Sequence, residues 1–205
     1  MIAIIKKISY YDKPFPGIYF LLNNERLFCP YDTPAKIYRD LDIAVEKTTL
    51  AGSDLLGIYG AILDDLIVVP DIVDEKLDMD MLKMPHNWNA WGNLLFYQSG
   101  KILLSRRVAS ARDVLEDLGY KVKITEISTP GSLILGNNRG LLISYRIEDH
   151  AEEISSFFDL PVMVGSLNSG FGYLGIAAVA NDNLALVGET STGFEIARLS
   201  EALEL

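Results

Sequence analysis

The chain has 205 residues, of which 49% are apolar and 22% are charged. A chain of this length buries roughly 70% of the surface of its unfolded state, and this composition excludes an intrinsically disordered chain. The formal net charge of −10 disfavours general attraction to phosphate backbones. The single cysteine, Cys29, excludes an internal disulfide framework and a cysteine-rich metal cage.

The sequence has no segment typical of a membrane span or a secretory signal. The longest nearly uncharged apolar run, residues 55–63, is shorter than the about 20 residues that a transmembrane helix needs. No basic N-terminal segment precedes an apolar stretch and a cleavage site. We therefore expect a cytoplasmic protein without membrane contact.

The first predicted strand is the β-branched run at residues 2–8, which only Lys6 and Lys7 interrupt. A recurring pattern follows, in which a glycine, an apolar run, a polar turn and a second apolar run succeed one another. This pattern is typical of a tight β-hairpin with two largely buried strands. It starts at Gly17, Gly57, Gly92, Gly131 and Gly175.

The five hairpins have predicted arms at 18–22 and 27–29, 58–63 and 66–69, 93–97 and 102–104, 132–136 and 141–143, and 176–180 and 184–187. Each hairpin is followed by a predicted helix, at 35–41, 73–83, 111–118, 149–158 and 194–203. A third strand is predicted after the first four helices, at 44–50, 86–91, 120–127 and 161–167. Each unit covers roughly 35 to 45 residues, a period typical of repeat architectures.

The units are approximately residues 10–50, 51–91, 92–128, 129–168 and 169–205 of a single domain. The last unit lacks its third strand, whereas the N-terminus has a spare one. We therefore expect strand 2–8 to complete the fifth unit, which closes the units into a ring and removes exposed sheet edges.

Three segments of the repeats have features beyond the hairpin pattern. They read Ala-Gly-Ser-Asp-Leu-Leu-Gly at 51–57, Ala-Trp-Gly-Asn-Leu-Leu at 90–95, and Asn-Asp-Asn-Leu-Ala-Leu-Val-Gly-Glu-Thr-Ser-Thr-Gly-Phe-Glu at 181–195. In this order and spacing they resemble the translation initiation factor 6 family of archaea and eukaryotes over essentially the whole chain. The resemblance implies a pentein fold, an α/β five-bladed propeller with pseudo-fivefold symmetry.

The resemblance also implies a function. Proteins of this family bind the large ribosomal subunit on the face that meets the small subunit, prevent subunit association, act in large-subunit biogenesis, and are not enzymes. Their chief partner is a basic ribosomal protein near the sarcin–ricin loop, with limited direct rRNA contact. An acidic propeller suits such a partner because complementary fields raise the association rate. We expect a monomer without cofactor or metal.

The resemblance places candidate ribosome-binding residues directly after the unit glycines. Asn93 follows Gly92 at the position where the family has an interface asparagine, and its amide offers two donors and one acceptor. Ile58, Ser132 and Leu133 are the equivalent candidates on the same rim. Eukaryotic members have a basic residue where Ile58 stands, so that charged contact is not expected here.

Two other motifs give alternative readings. Residues 170–175 match the dinucleotide fingerprint G-x-G-x-x-G, but the fingerprint needs a helix after its last glycine, and a hairpin strand is predicted there. Cys29 is a possible nucleophile, because penteins include enzymes that modify guanidino compounds. In those enzymes the cysteine lies near the C-terminus, so a buried thiol is the favoured interpretation. The alternative functions are therefore a guanidino-modifying pentein enzyme and a diverged pentein that binds another protein.

Overall fold

The computed structural model describes residues 3–85 and 87–205. These residues form five three-stranded sheets, one for each predicted unit, which confirms the α/β class and the fivefold repetition. The strands are β1 (Ile4–Ile8), β2 (Leu21–Leu22), β3 (Arg26–Cys29), β4 (Ala44–Lys47), β5 (Ala61–Leu63), β6 (Leu66–Pro70), β7 (Asp80–Met84), β8 (Leu95–Gln98), β9 (Lys101–Ser105), β10 (Lys121–Thr125), β11 (Ile134–Gly136), β12 (Leu141–Ser144), β13 (Val162–Gly165), β14 (Ala178–Ala180) and β15 (Leu184–Gly188).

The helices are short. They are α1 (Pro16–Tyr19), α2 (Leu56–Tyr59), α3 (Trp91–Leu94), α4 (Arg112–Asp117), α5 (Pro130–Leu133), α6 (Ala151–Phe158), α7 (Leu174–Ala177) and α8 (Gly193–Leu203). Three 3₁₀ segments, Ala35–Ile37, Arg106–Ala111 and Tyr145–His150, follow the second strands of the first, third and fourth units. No helix of the described residues is long and apolar enough to cross a membrane.

Every sheet has the same internal order. Its first strand is antiparallel to its second, and its third strand is parallel to its second. The second strand is therefore central and is covered on both faces, which explains its uninterrupted apolar sequence. All residues of β12 and β15 are buried. The prediction of hairpin turns and second strands is confirmed in all five units.

The N-terminal strand completes the fifth sheet, as predicted. β1 lies parallel to β15, with Ile4 opposite Leu184 and Ile8 opposite Gly188. Of the predicted strand 2–8, Ile2 lies outside the described residues. The predicted removal of sheet edges is wrong, because in residues 3–85 and 87–205 each sheet has three strands and none closes on itself.

In every unit the first strand of the hairpin begins later in the chain than predicted. In each unit a helical turn, namely α1, α2, α3, α5 or α7, contains the unit glycine, and the strand starts only after it. Pro16 and Pro130 occupy the first turns of α1 and α5, where a missing N–H costs nothing. An apolar run after a glycine fits a buried helical turn as well as a strand, so periodicity could not separate the two.

The second unit differs most from the prediction. The expected helix at 73–83 is absent, and residues 80–84 form β7, in register with β6 from Leu66 to Pro70. The strand predicted at 86–91 is also wrong, and His86 within it lies outside the described residues. Val73, Leu77, Met81 and Met84 have helical spacing, but Leu77, Met79 and Met81 also alternate with Asp78 and Asp80 as in a strand. The central strand β6 offers a complete row of hydrogen-bonding groups, so the segment pairs with it.

The other predicted helices are confirmed with altered bounds. The helix at 35–41 is reduced to the 3₁₀ segment Ala35–Ile37, while α4, α6 and α8 occupy the predicted regions of the last three units. A capping box begins α8. The Thr192 side chain accepts a hydrogen bond from the backbone of Glu195, and the Glu195 carboxylate accepts one from the backbone of Thr192.

Candidate functional site

The helical turns of the five units contact one another through their glycines. A Cβ atom built on Gly57 would lie 2.0 Å from the carbonyl oxygen of Gly17, and one built on Gly92 would lie 2.0 Å from that of Gly57. Equivalent contacts join Gly131 to Gly92, Gly175 to Gly131, and Gly17 to Gly175. Any side chain would collide with the neighbouring backbone, so these positions require glycine.

Asn93 lies in α3, directly after one of these contacts, and is partly exposed. Its Oδ1 accepts a hydrogen bond of 2.9 Å from Oγ of Ser132, which lies in α5 of the next unit. This bond fixes the orientation of the amide and joins two units. Among the described residues, none accepts a hydrogen bond from Nδ2 of Asn93.

The other predicted site residues differ in accessibility. Gly92 and Ile58 are partly exposed beside Asn93, in neighbouring helical turns. Ser132 is 3% exposed, and its hydroxyl positions Asn93. Leu133 is 8% exposed and packs in the core of the fourth unit, so the structure gives it no direct access to a partner. Ribosome binding by these residues stays a prediction.

The face that contains Asn93 is rich in exposed apolar side chains. Because first strands run away from the helical turns, and second strands return, the loops after the second and third strands lie on the same face as α3. These loops and the helical segments that begin in them contain the exposed residues Tyr11, Tyr31, Leu55, Ile72, Trp88, Tyr145 and Phe194. We call this surface the aromatic face. Elsewhere among the described residues, large exposed apolar side chains are limited to Ile4, Val114 and Leu118.

Sequence reasoning missed the aromatic face. Each of its residues occurs singly between strands, and one exposed apolar residue is unremarkable in a sequence. Only the equivalent positions of Tyr31, Ile72 and Tyr145, one or two residues after the second strand of their units, could have indicated that they meet on one surface.

The opposite face consists of the five hairpin turns around a central cavity of about 520 Å³. Asparagines join these turns. Asn181 closes its own turn through Oδ1, and its Nδ2 donates to the carbonyl of Asn23 at 2.7 Å. Asn137 donates in the same way to the carbonyl of Asn181, and Asn23 donates to that of Asp64. The side chains thus link the fourth, fifth, first and second units in sequence.

The loop of the dinucleotide-like motif is bound by a carboxylate of the chain itself. Glu195 is 5% exposed, and it accepts hydrogen bonds from the backbone of Ser169 at 3.0 Å and of Gly170 at 2.8 Å, and from Ser166 Oγ at 2.8 Å. Burial alone would raise the pKa of Glu195. The hydrogen bonds from these donors and from Thr192 outweigh burial, so the pKa of Glu195 lies below its ordinary value. These hydrogen bonds hold Ser169 and Gly170 in the loop that precedes α7. The strand predicted directly after Gly175 begins only at Ala178, because Gly175 lies in α7, a single helical turn.

Cys29 is buried with no exposed surface. Burial raises the pKa of its thiol above the ordinary value, although Thr33 and Lys47 act in the opposite direction. A protonated, inaccessible thiol is a poor nucleophile, as the sequence predicted. Within residues 3–85 and 87–205, no group of three or more His, Cys, Asp or Glu side chains is arranged to hold a metal ion.

Comparison with known proteins connects the chain to a family. The profile described as the eIF-6 family matches residues 5–202 of the chain. "Translation initiation factor 6" of Pyrobaculum aerophilum is 32% identical over 91% of this chain and 93% of the relative. The protein of the same name from Picrophilus torridus is 31% identical over 98% of this chain and 100% of the relative. That of Pyrococcus horikoshii is 24% identical over 97% of this chain.

Proposed function

The chain belongs to the eIF-6 family, and on that premise we propose that it acts in translation by binding the large ribosomal subunit. It binds at the face that meets the small subunit and prevents subunit association, with a role in large-subunit biogenesis. We further propose that it acts in the cytoplasm as a monomer, without catalytic activity.

The proposed architecture is a five-bladed pentein propeller whose units form a closed ring. The contact of Gly17 with Gly175 supports it, because it joins the first unit to the fifth by the same approach that joins the others. The hydrogen bond from Asn181 to Asn23 supports the same junction on the opposite face. In this architecture the helical turns line the axis, and the aromatic face is one end of the ring.

The observation that carries the function is the aromatic face around Asn93. Soluble proteins rarely expose many large apolar side chains on one surface, and such surfaces typically bind other macromolecules. Phe194, at 78% exposed, extends furthest into solvent. Asn93 adds an amide whose Nδ2 donates to none of the described residues. Aromatic anchors combined with a fixed polar group are typical of protein-binding sites.

Charge supports a basic ribosomal protein as the chief partner. The net charge of −10 favours encounter with a basic surface and opposes broad contact with rRNA. Limited rRNA contact remains feasible through arginines of the aromatic face. The guanidinium of Arg107 lies 5.3 Å from the ring centre of Trp88, and that of Arg146 lies 5.0 Å from the ring centre of Tyr173. Neither forms an ion pair with a carboxylate of the described residues.

The test is co-sedimentation of the protein with purified large ribosomal subunits, comparing the wild type with Asn93→Arg. We expect the wild type to co-sediment and to block addition of small subunits. Asn93→Arg loses the amide donors and places a bulky cation against a basic partner, so we expect at least about tenfold weaker binding, which corresponds to about 1.4 kcal/mol.

A matched control places the same change on the other face. Asn24 is an exposed asparagine of a hairpin turn, so Asn24→Arg adds the same charge away from the proposed surface. We expect it to bind as the wild type does. Absence of wild-type binding would contradict the proposed function. Equal binding by Asn93→Arg and Asn24→Arg would contradict only the proposed surface, provided that both variants unfold at the wild-type temperature.

A further inference from the structure

Three of the turns that follow third strands have a left-handed backbone. Residues 11–12 after β1 have φ angles of 49° and 55°, and residues 51–52 after β4 have φ angles of 53° and 66°. In the longer turn after β13, residues 169–170 have φ angles of 60° and 95°. Successive backbone N–H groups in such turns form a concavity that binds anions.

In two of these turns a glutamate from the neighbouring sheet occupies the concavity. The Glu75 carboxylate accepts hydrogen bonds from the N–H of Ala51 at 3.0 Å, from the N–H of Gly52 at 2.7 Å and from the Thr49 hydroxyl at 3.1 Å. Glu195 binds the turn after β13 in the same arrangement. In both turns the first N–H donates to Oε2, whereas the second N–H and the preceding hydroxyl donate to Oε1.

Ala35 stands where the turn after β1 would need the equivalent glutamate. The same backbone hydrogen bond, from the N–H of the fourth residue to the carbonyl of the first, closes residues 30–33 at 3.1 Å and residues 70–73 at 3.2 Å. Glu75 lies two residues after the second of these segments, and Ala35 lies two residues after the first. Ala35 is exposed and has no carboxylate, so the chain does not supply the equivalent acceptor from this position.

The concavity after β1 therefore has no occupant from the chain. Among the described residues, none accepts a hydrogen bond from the N–H of Tyr11 or of Asp12. The hydroxyl of Ser9, which corresponds to that of Thr49, donates to the exposed carboxylate of Glu189 at 3.0 Å. Tyr11 is 62% exposed and Asp12 is exposed as well, so this turn lies at the surface of the aromatic face, where a docked partner can reach it.

We propose that the N–H groups of Tyr11 and Asp12 bind the side-chain carboxylate of an aspartate or glutamate of the protein that docks on the aromatic face. The inference rests on the proposed function. The occupants of the two equivalent turns are glutamate carboxylates, whose two oxygens each accept one N–H. The net charge of −10 opposes a polyanionic RNA backbone more strongly than one carboxylate of a basic protein.

The first test supplies the missing carboxylate from the chain itself. Ala35→Glu places a carboxylate at the position that corresponds to Glu75. We expect a higher melting temperature, because two N–H groups gain an acceptor. We also expect about fivefold or more weaker binding to large subunits, because the partner's carboxylate is displaced. A general effect of the added charge has the opposite sign, since a carboxylate attracts a basic partner.

Two controls accompany this variant. Ala44→Glu adds the same charge at the exposed start of β4, where the N–H of Ala44 donates to the hairpin turn at Glu25, and it should bind as the wild type does. Ala35→Gln has the size of the glutamate variant but a neutral, weaker acceptor, so it should lose less affinity. Affinity of Ala35→Glu equal to that of Ala44→Glu overturns the proposal. Equal losses in Ala35→Glu and Ala35→Gln indicate a steric clash and overturn it as well.

The second test does not depend on the ribosome. Sodium acetate replaces sodium chloride in a solution of ¹⁵N-labelled protein at a constant ionic strength of about 1 M, where the screening length is about 3 Å, so that Asp12 and Asp32 repel the anion little. We expect saturable shifts of the amide signals of Tyr11 and Asp12 in the wild type and none in Ala35→Glu. The amides of residues 51–52 already bind Glu75 and should not shift.

Dimethyl phosphate, a mimic of the RNA backbone, is titrated in the same way. We expect it to bind this turn more weakly than acetate does. Tighter binding of dimethyl phosphate than of acetate overturns the proposal, and so does the absence of an acetate response at Tyr11 and Asp12. Acetate binding as expected without co-sedimentation of the wild type contradicts the proposed function alone.

Discussion

Replacement of Gly175 by alanine tests the glycine contacts that hold the units together. The added Cβ would lie 2.0 Å from the carbonyl oxygen of Gly131, whereas real Cβ contacts shorter than 3.0 Å essentially never occur. Two backbone segments must therefore separate by about 1 Å. No flexible side chain lies at this contact to absorb the movement, and α5 and α7 are both buried at several positions.

The expected cost lies at the upper end of the range for overpacked cores, about 3 kcal/mol or more. For a chain of this length that loss lowers the melting temperature by roughly 6–12 °C. The measurement is urea unfolding, together with thermal unfolding followed by circular dichroism. The urea midpoint should decrease while the slope of the transition stays the same.

Gly193→Ala is the matched control for this experiment. Gly193 is the first residue of α8, and a Cβ built on it has no atom within 4 Å. We expect it to be neutral or to stabilise the protein by about 0.4–1 kcal/mol through the unfolded state. If Gly175→Ala unfolds within 1 kcal/mol of Gly193→Ala, the helical turns do not pack through their glycines, and the argument for a closed ring loses its chief support.

Two further predictions concern the fifth unit. Deletion of residues 1–9 removes β1, which pairs with β15 along its whole length, and should therefore destabilise the whole fold; a truncated protein that melts at the wild-type temperature would contradict this. Glu195→Gln should lower the free energy of unfolding at pH 7 by about 1–3 kcal/mol, because a buried charged acceptor is lost. Since the folded pKa of Glu195 is lowered, its stabilisation is present above the unfolded pKa of about 4.3 and is lost as the pH falls through the folded value. The difference between wild type and variant in urea unfolding should thus shrink below about pH 4, and a constant difference would contradict the assignment.

The sequence was sufficient to predict the repeat and most of its strands. A second strand such as 184–188 is central in its sheet, so its uninterrupted apolar run is a strong signal, and the asparagine turn before it marks its start. The pairing of β1 with β15 also followed from counting strands. These features depend on local pattern and number, which a single sequence contains.

The secondary-structure predictions are wrong where tertiary contacts determine the local conformation. Residues 80–84 have no strong strand pattern, and they form β7 because β6 has an open edge beside them. The turn around Gly92 is helical because its neighbour Gly57 approaches its backbone, a contact that no local pattern encodes.

Differences between the repeats indicate which residues could orient a docked partner. A fivefold repeat presents equivalent positions in every unit, so it cannot by itself orient one partner. The residues after the unit glycines break the symmetry, since Ile18, Ile58 and Ile176 are apolar whereas Asn93 and Ser132 are polar. Ser132 and Asn93 bond to each other, and Ser132 is buried. Ser132 therefore positions the amide, and under the proposed function Asn93 is the polar group beside the unit glycines that distinguishes one orientation of a docked partner from the others.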